Sequence, residues 1–221
     1  MARRLDGPRI EPRRGVASSL VVLLHGYGAN GEDLIALGDA WRPRLPHAAF
    51  VAPNAPHTLP GMDGGRQWFA LSLSDPGEYW RGVTAARPLL DSFLDAELAR
   101  YRLAANRLVL VGFSQGSMMA LHVGPRRRAA PAGIVAYSGL LAGPEHLGEA
   151  TSHQPVLLVH GEMDELIGVE ALHAAREALA GAGMLVEWHI RPGLGHGIDR
   201  EAHWLAGDFI AQVLRPEAMR S

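Results

Sequence analysis

The chain contains no cysteine, which excludes disulfides, thiolate nucleophiles and cysteine-ligated metal. It contains no lysine either, so every basic side chain apart from histidine is arginine. Schiff-base chemistry and the lysine of a phosphate-binding loop are therefore absent. Excess charge of one sign is lacking: the formal net charge of −2 offers no basic footprint for nucleic acid. Long apolar runs are missing too. Leu20-Val21-Val22-Leu23-Leu24 is far too short to span a membrane. Residues 1–15 carry Arg3, Arg4, Arg9, Arg13 and Arg14 with no signal-type apolar stretch behind them. The expectation is a soluble, cytoplasmic protein.

What is present suits one globular domain. The chain has 221 residues, 48% of them hydrophobic, enough for a sizeable core and against disorder. Apolar runs alternate with helical segments. Strands are expected at 20–24, 48–52, 107–111, 132–137, 155–159 and 184–190. Helices are expected at 31–42, 82–102 (despite Pro88), 117–123, 168–181 and 199–214. Such alternation implies a mostly parallel sheet covered by helices on both faces. Residues 1–18 form an N-terminal segment with room for a short strand or hairpin, 19–215 the domain and 216–221 a tail. Loop 53–67 is long for a compact domain and is a candidate functional loop. Asn30 is placed to cap the first helix. Arg126-Arg127-Arg128 reads as a solvated helix end, where positive charge suits the dipole.

Gly112-Phe113-Ser114-Gln115-Gly116 carries the chemistry. A β-branched, apolar strand precedes it and an apolar-faced helix follows, the context of a nucleophile elbow. The small flanking residues permit a sharp turn that lifts the Ser114 hydroxyl above the sheet. A serine hydroxyl needs a base to take its proton, usually a histidine oriented by a carboxylate. His196 in Gly195-His196-Gly197 follows the strand through Ile190 and is the base candidate. Asp164 follows the strand Val156-Leu157-Leu158-Val159, but Glu162 and Glu165 compete with it, and the residues alone leave the acid open. His25 and His160 stand at strand ends beside glycine and read as loop ties; His57 lies in the long loop, near where substrate could pass. The oxyanion hole should use the amide of Gln115 and, from His25-Gly26-Tyr27-Gly28, the amide of Tyr27.

Five segments together resemble the phospholipase/carboxylesterase family, which includes acyl-protein thioesterases and small bacterial carboxylesterases. They are Leu24 to Asp33, Pro53-Asn54-Ala55-Pro56 with Gln67-Trp68-Phe69, Gly112 to Gly116, His160-Gly161-x-x-Asp164, and Gly195-His196-Gly197. The resemblance covers roughly residues 19–213. It implies a single-domain α/β-hydrolase without a large cap domain. It also implies a Ser114–Asp164–His196 triad and an oxyanion hole of Tyr27 and Gln115. Ala70 stands where family members often carry aspartate, and Gly64 to Phe69 is closer in look to small bacterial carboxylesterases than to protein-deacylating enzymes.

The expected activity is hydrolysis of short- to medium-chain acyl esters, or thioesters, through an acyl-enzyme on Ser114. No metal or cofactor is required. Trp68, Phe69, Leu71, Phe113, Met118, Leu140, Leu141, Leu166 and Ile167 are candidates for the acyl pocket, with fewer than half expected to touch substrate. Trp68 and Trp80, if exposed, are candidates for a homodimer surface. Alternatives are a lysophospholipase or acyl-protein thioesterase, perhydrolysis or lactone opening on the same triad, and a non-catalytic binding protein on a hydrolase fold.

Overall fold

The computed structural model describes residues 4–72, 75 and 77–215; the tail at 216–221 lies outside the described residues. Nine strands alternate with five helices through them: β1 (Arg9–Ile10), β2 (Ser19–Leu24), α1 (Gly31–Trp41), β3 (Ala48–Val51), β4 (His57–Thr58), β5 (Arg66–Gln67) and α2 (Glu78–Tyr101) come first. They are followed by β6 (Leu108–Phe113), α3 (Gln115–Val123), β7 (Gly133–Tyr137), β8 (Val156–Gly161), α4 (Glu170–Gly181), β9 (Val186–Arg191) and α5 (Arg200–Val213). Seven strands make one sheet in the order β1-β3-β2-β6-β7-β8-β9. All its pairings are parallel except β1 with β3.

Side chains of the central strands alternate between two cores, as strand geometry demands. Leu20, Val22, Leu24, Leu108 and Leu110 face α2, α3 and α4, packing with Leu90, Met119 and Leu179. Val21, Leu23, Val109 and Val111 face α1 and α5, packing with Trp41, Phe209 and Ile210. With both faces covered, the strands carry unbroken apolar runs. The sheet winds outward from β2 to β3, then restarts on the other side with β6. The topological switch point lies between β2 and β6, and the crevice beyond their carboxyl ends is where an open α/β sheet binds ligands.

The N-terminal segment, with its room for a short strand, supplies the edge strand β1, paired antiparallel with β3. Other expectations need correction. The long loop contains the ribbon β4–β5, with His57 opposite Gln67 and Thr58 opposite Arg66. Helix α2 begins at Glu78 and continues through Pro88, which sits on its exposed face. The arginine run is not a solvated end: Arg126 and Arg127 are buried, and of the three only Arg128 is exposed. Arg127 binds Asp91 at 2.8 Å and Asp95, both on α2. Arg126 donates to the carbonyls of His122 and His146 and to Glu149. Trp68 is buried, which removes it from any dimer surface, while Trp80 is half-buried and stacked on His146. The expected cap on α1 is present. Asn30 Oδ1 accepts from Glu32 N at 2.9 Å, and Asp33 accepts from Asn30 N in return.

Candidate active site

Ser114 occupies the turn between β6 and α3 at φ 54°, ψ −118°, a conformation that costs a non-glycine residue about 1–3 kcal/mol. The surrounding structure holds it there. Ser114 N donates to Tyr137 O on β7, and Ser114 O accepts from the amides of Ser117 and Met118. The flanking glycines are required by close backbone approach. A Cβ on Gly116 would stand 1.9 Å from Leu24 O, and one on Gly112 would stand 2.4 Å from Gly116 O. No side chain fits between β2, β6 and the first turn of α3, so the serine is pressed against the loop after β2. A Cβ on Gly26 would lie 3.1 Å from Ser114 Cβ.

That loop runs Gly26-Tyr27-Gly28 and is tied down on both sides. Gly28 N donates to Arg66 O and Ala29 N to Gly26 O. His25 is fully buried; its Nδ1 is 2.8 Å from Gly26 O, and its Nε2 lies 2.9 Å from Ala55 N. A carbonyl can only accept and an amide only donate, so the neutral tautomer with hydrogen on Nδ1 is fixed. Burial lowers the His25 pKa accordingly. Among the described residues the amides of Tyr27 and Gln115 have no acceptor. Gln115 opens α3, where a helix leaves its first amides unpaired and its dipole positive.

The Gln115 side chain has a task that the elbow motif does not announce. It is buried beneath the site, accepting from Trp68 N and donating to Phe69 O, each at 2.8 Å. Trp68 Nε1 in turn donates to His25 O at 2.9 Å. The end of the long loop is thus fastened to the serine turn through its backbone atoms.

Asp164 and His196 meet above β8 and β9. His196 Nδ1 is 2.8 Å from Asp164 Oδ2, while Asp164 Oδ1 accepts from the amides of Leu166 at 3.0 Å and Ile167 at 2.9 Å. Burial of the Asp164 side chain raises its pKa, but the Ile167 amide, His196 and the Leu166 amide outweigh that and hold it below the usual carboxylate range. The rival acids lie elsewhere: Glu162 is exposed and accepts from Gly193 N at 3.1 Å, and Glu165 is exposed. The two loops are stitched together by Met163 N to Leu194 O and Glu162 N to Arg191 O. A Cβ on Gly161 would stand 2.2 Å from Gly195 O. Beyond His196 the loop is closed by Arg191, which binds Asp199, the N-cap of α5. Phe113, next to Ser114, carries its ring 5.0 Å from that of His196, bringing the elbow and the histidine loop together.

The apolar candidates divide by depth. Trp68, Phe69, Met118 and Leu141 are buried, Leu71, Phe113, Leu140 and Ile167 are half-buried, and Leu166 is 77% exposed. Leu140 and Leu141 border a cleft of about 300 Å³ with Tyr79, Trp80 and Gly143. Trp68 and Phe69 form part of a second cleft, of about 380 Å³, against α2. Tyr27 is exposed. Ser138, just past the end of β7, is buried at φ 44° with no partner for its hydroxyl among the described residues. Among the described residues no three His, Asp or Glu side chains cluster closely enough to hold a metal.

A doubly wound sheet with a strained serine turn at its switch point defines an α/β-hydrolase. The chain matches the family model described as Phospholipase/Carboxylesterase over residues 5–214, and it belongs to that family. The esterase YpfH of Escherichia coli K12 is 30% identical over 90% of this chain and 84% of its own length. An acyl-protein thioesterase 1 homolog of Dictyostelium discoideum is 27% identical over 89% of this chain and 91% of its own. The crystal structure of esterase PE8 superposes with a TM-score of 0.92 at 42% identity, covering 96% of this chain and all of that one.

Proposed function

We propose that the protein is a serine carboxylesterase acting on short- to medium-chain acyl esters through an acyl-enzyme on Ser114. The observation that carries this is the 2.8 Å contact between His196 Nδ1 and Asp164 Oδ2. Asp164, held ionised, can only accept, so His196 keeps its hydrogen on Nδ1 and its Nε2 is the bare base. Nε2 takes the proton of Ser114 Oγ as that oxygen attacks the ester carbonyl. Charge moves to the carbonyl oxygen, where the amides of Tyr27 and Gln115 donate to it. An oxyanion donor of this kind is worth about 3 kcal/mol. The imidazolium then protonates the departing alcohol and the carbonyl re-forms as an acyl-serine. Water, deprotonated by the same nitrogen, attacks in turn; the acid leaves and Ser114 regains its proton. A thioester follows the same route with a thiol leaving, so both belong in one substrate panel.

The acyl chain would lie against apolar side chains beside the serine turn. Leu71, Leu140, Leu166 and Ile167 have free surface to offer substrate, whereas Trp68, Phe69 and Met118 support the site from below.

The test is turnover of p-nitrophenyl esters from acetate to palmitate, with Ser114→Ala alongside. Turnover should peak at short or medium chains and fall by several orders of magnitude in the variant. A folded wild type that hydrolyses none of them, or a variant that retains activity, would sink the proposal.

A further inference from the structure

We infer that His160, at the end of β8, is a positioning residue that holds Asp164 in the geometry its role requires; this rests on the triad proposed above. His160 is buried, with Nε2 2.8 Å from Ile167 O and 3.3 Å from Asp164 Oδ2. The Ile167 carbonyl can only accept, so that nitrogen bears hydrogen and donates it to Ile167 O, while the same N–H dipole stands beside the carboxylate without a hydrogen bond to it.

The carboxylate accepts three hydrogen bonds, from the Leu166 and Ile167 amides at Oδ1 and from His196 at Oδ2. The His160 N–H lies 3.3 Å from Oδ2 on its way to Ile167 O, so its positive end faces the carboxylate. Ile167 is bonded through both its N–H and its C=O, which folds residues 161–167 into a closed loop around the acid. Among the described residues Asp164 is the charged group in contact with either imidazole. Glu162 is turned to Gly193, and Glu165 is exposed.

Two effects follow from removing the Nε2–H of His160. The acid loop loses its cross-tie, so His196 is held less well for proton transfer. The Asp164 carboxylate, relieved of the N–H dipole beside Oδ2, becomes the stronger acceptor for His196 and favours its imidazolium. The first effect lowers kcat with little change in KM; the second moves the acidic limb of the pH–rate profile to higher pH. A residue that merely fills space would do neither in the folded fraction.

The experiment measures kcat, KM and the kcat/KM pH profile of the full chain with p-nitrophenyl butyrate, for wild type, His160→Leu, His160→Gln and Asp164→Asn. In His160→Leu, kcat should fall on the order of 10–100-fold, as for a small misplacement of a catalytic group, and the acidic limb should move up. The glutamine amide nitrogen reaches about as far from the backbone as Nε2, so His160→Gln should restore the limb and much of kcat. An unmoved limb in His160→Leu, or equal loss in the leucine and glutamine variants, overturns the inference. Should His160→Leu not fold, His160→Asn takes its place, since its amide stops short of Asp164; an unmoved limb there overturns it equally. Asp164→Asn separates the two failures. Near-normal turnover in that variant overturns the triad and the inference with it, whereas a crippled Asp164→Asn beside an unmoved limb overturns the role of His160 alone.

Discussion

His122 should make this protein acid-labile, and replacing it should cure the defect. The residue lies on α3, 1% exposed, edge-on to Trp80 with ring centroids 5.1 Å apart. Neither ring nitrogen has a hydrogen-bond partner among the described residues. Burial, then the nearby charges of Arg126 and Arg87, push its pKa from 6.5 down to about 3. The folded state therefore refuses a proton that the unfolded state accepts below pH 6.5. The stabilising contribution is present above that pH and is lost as pH falls toward about 3. Over that window the loss approaches about 1.4 kcal/mol per pH unit, or roughly 2–3 kcal/mol at pH 4.5. At neutral pH an unsatisfied buried donor or acceptor costs about 1–3 kcal/mol as well. His122→Leu, similar in volume and favourable to helix, removes both. Urea unfolding at pH 7.5 and pH 4.5 would measure it. The variant should be at least as stable as wild type at pH 7.5, and its advantage should widen by roughly 2–3 kcal/mol at pH 4.5. Parallel losses in the two proteins would show that His122 is not held neutral in the fold, and the reasoning would fail.

Two other substitutions probe how the site is held. Gly116→Ala must part α3 from β2, because the new Cβ would meet Leu24 O at 1.9 Å; a loss of about 3 kcal/mol or more in urea unfolding is expected, and a near-neutral effect would refute the close approach. Gln115→Leu strands Trp68 N and Phe69 O without partners and should destabilise by about 2–4 kcal/mol, with hydrogen exchange accelerated at Trp68. Unchanged exchange there would mean the loop is held by other contacts.

The layout was legible because chemistry and punctuation coincide. Each loop at the site follows an apolar strand and is marked by glycine, so Ser114 and His196 could be placed at strand ends from the residues, whereas Asp164 was separated from Glu162 and Glu165 only by the family resemblance. What stayed hidden was long-range polar stitching. Arg126 and Arg127 looked like a solvated helix end, since a charge run next to a helix terminus has a sufficient local explanation. Their partners Asp91, Asp95 and Glu149 lie on other segments, beyond any periodicity. Gln115 is hydrophilic by type yet buried, because its amide replaces backbone partners 46 and 47 residues away. Trp68 looked like a surface or pocket aromatic; its indole N–H is committed to His25 O, which requires burial. The ribbon β4–β5 is only two residues per strand, too short for alternation to register.

Much of what holds the site loops is main chain: Gly116 packs on Leu24, Gly161 on Gly195, and backbone amides grip the Asp164 carboxylate. The apolar side chains with free surface, among them Leu71, Leu140, Leu166 and Ile167, take no part in those contacts through their own atoms. Mutation can therefore exchange them one at a time without disturbing the machinery beneath. Such a scaffold can diversify in appetite over evolutionary time while inheriting one unaltered chemistry, because the two are written in different parts of the chain.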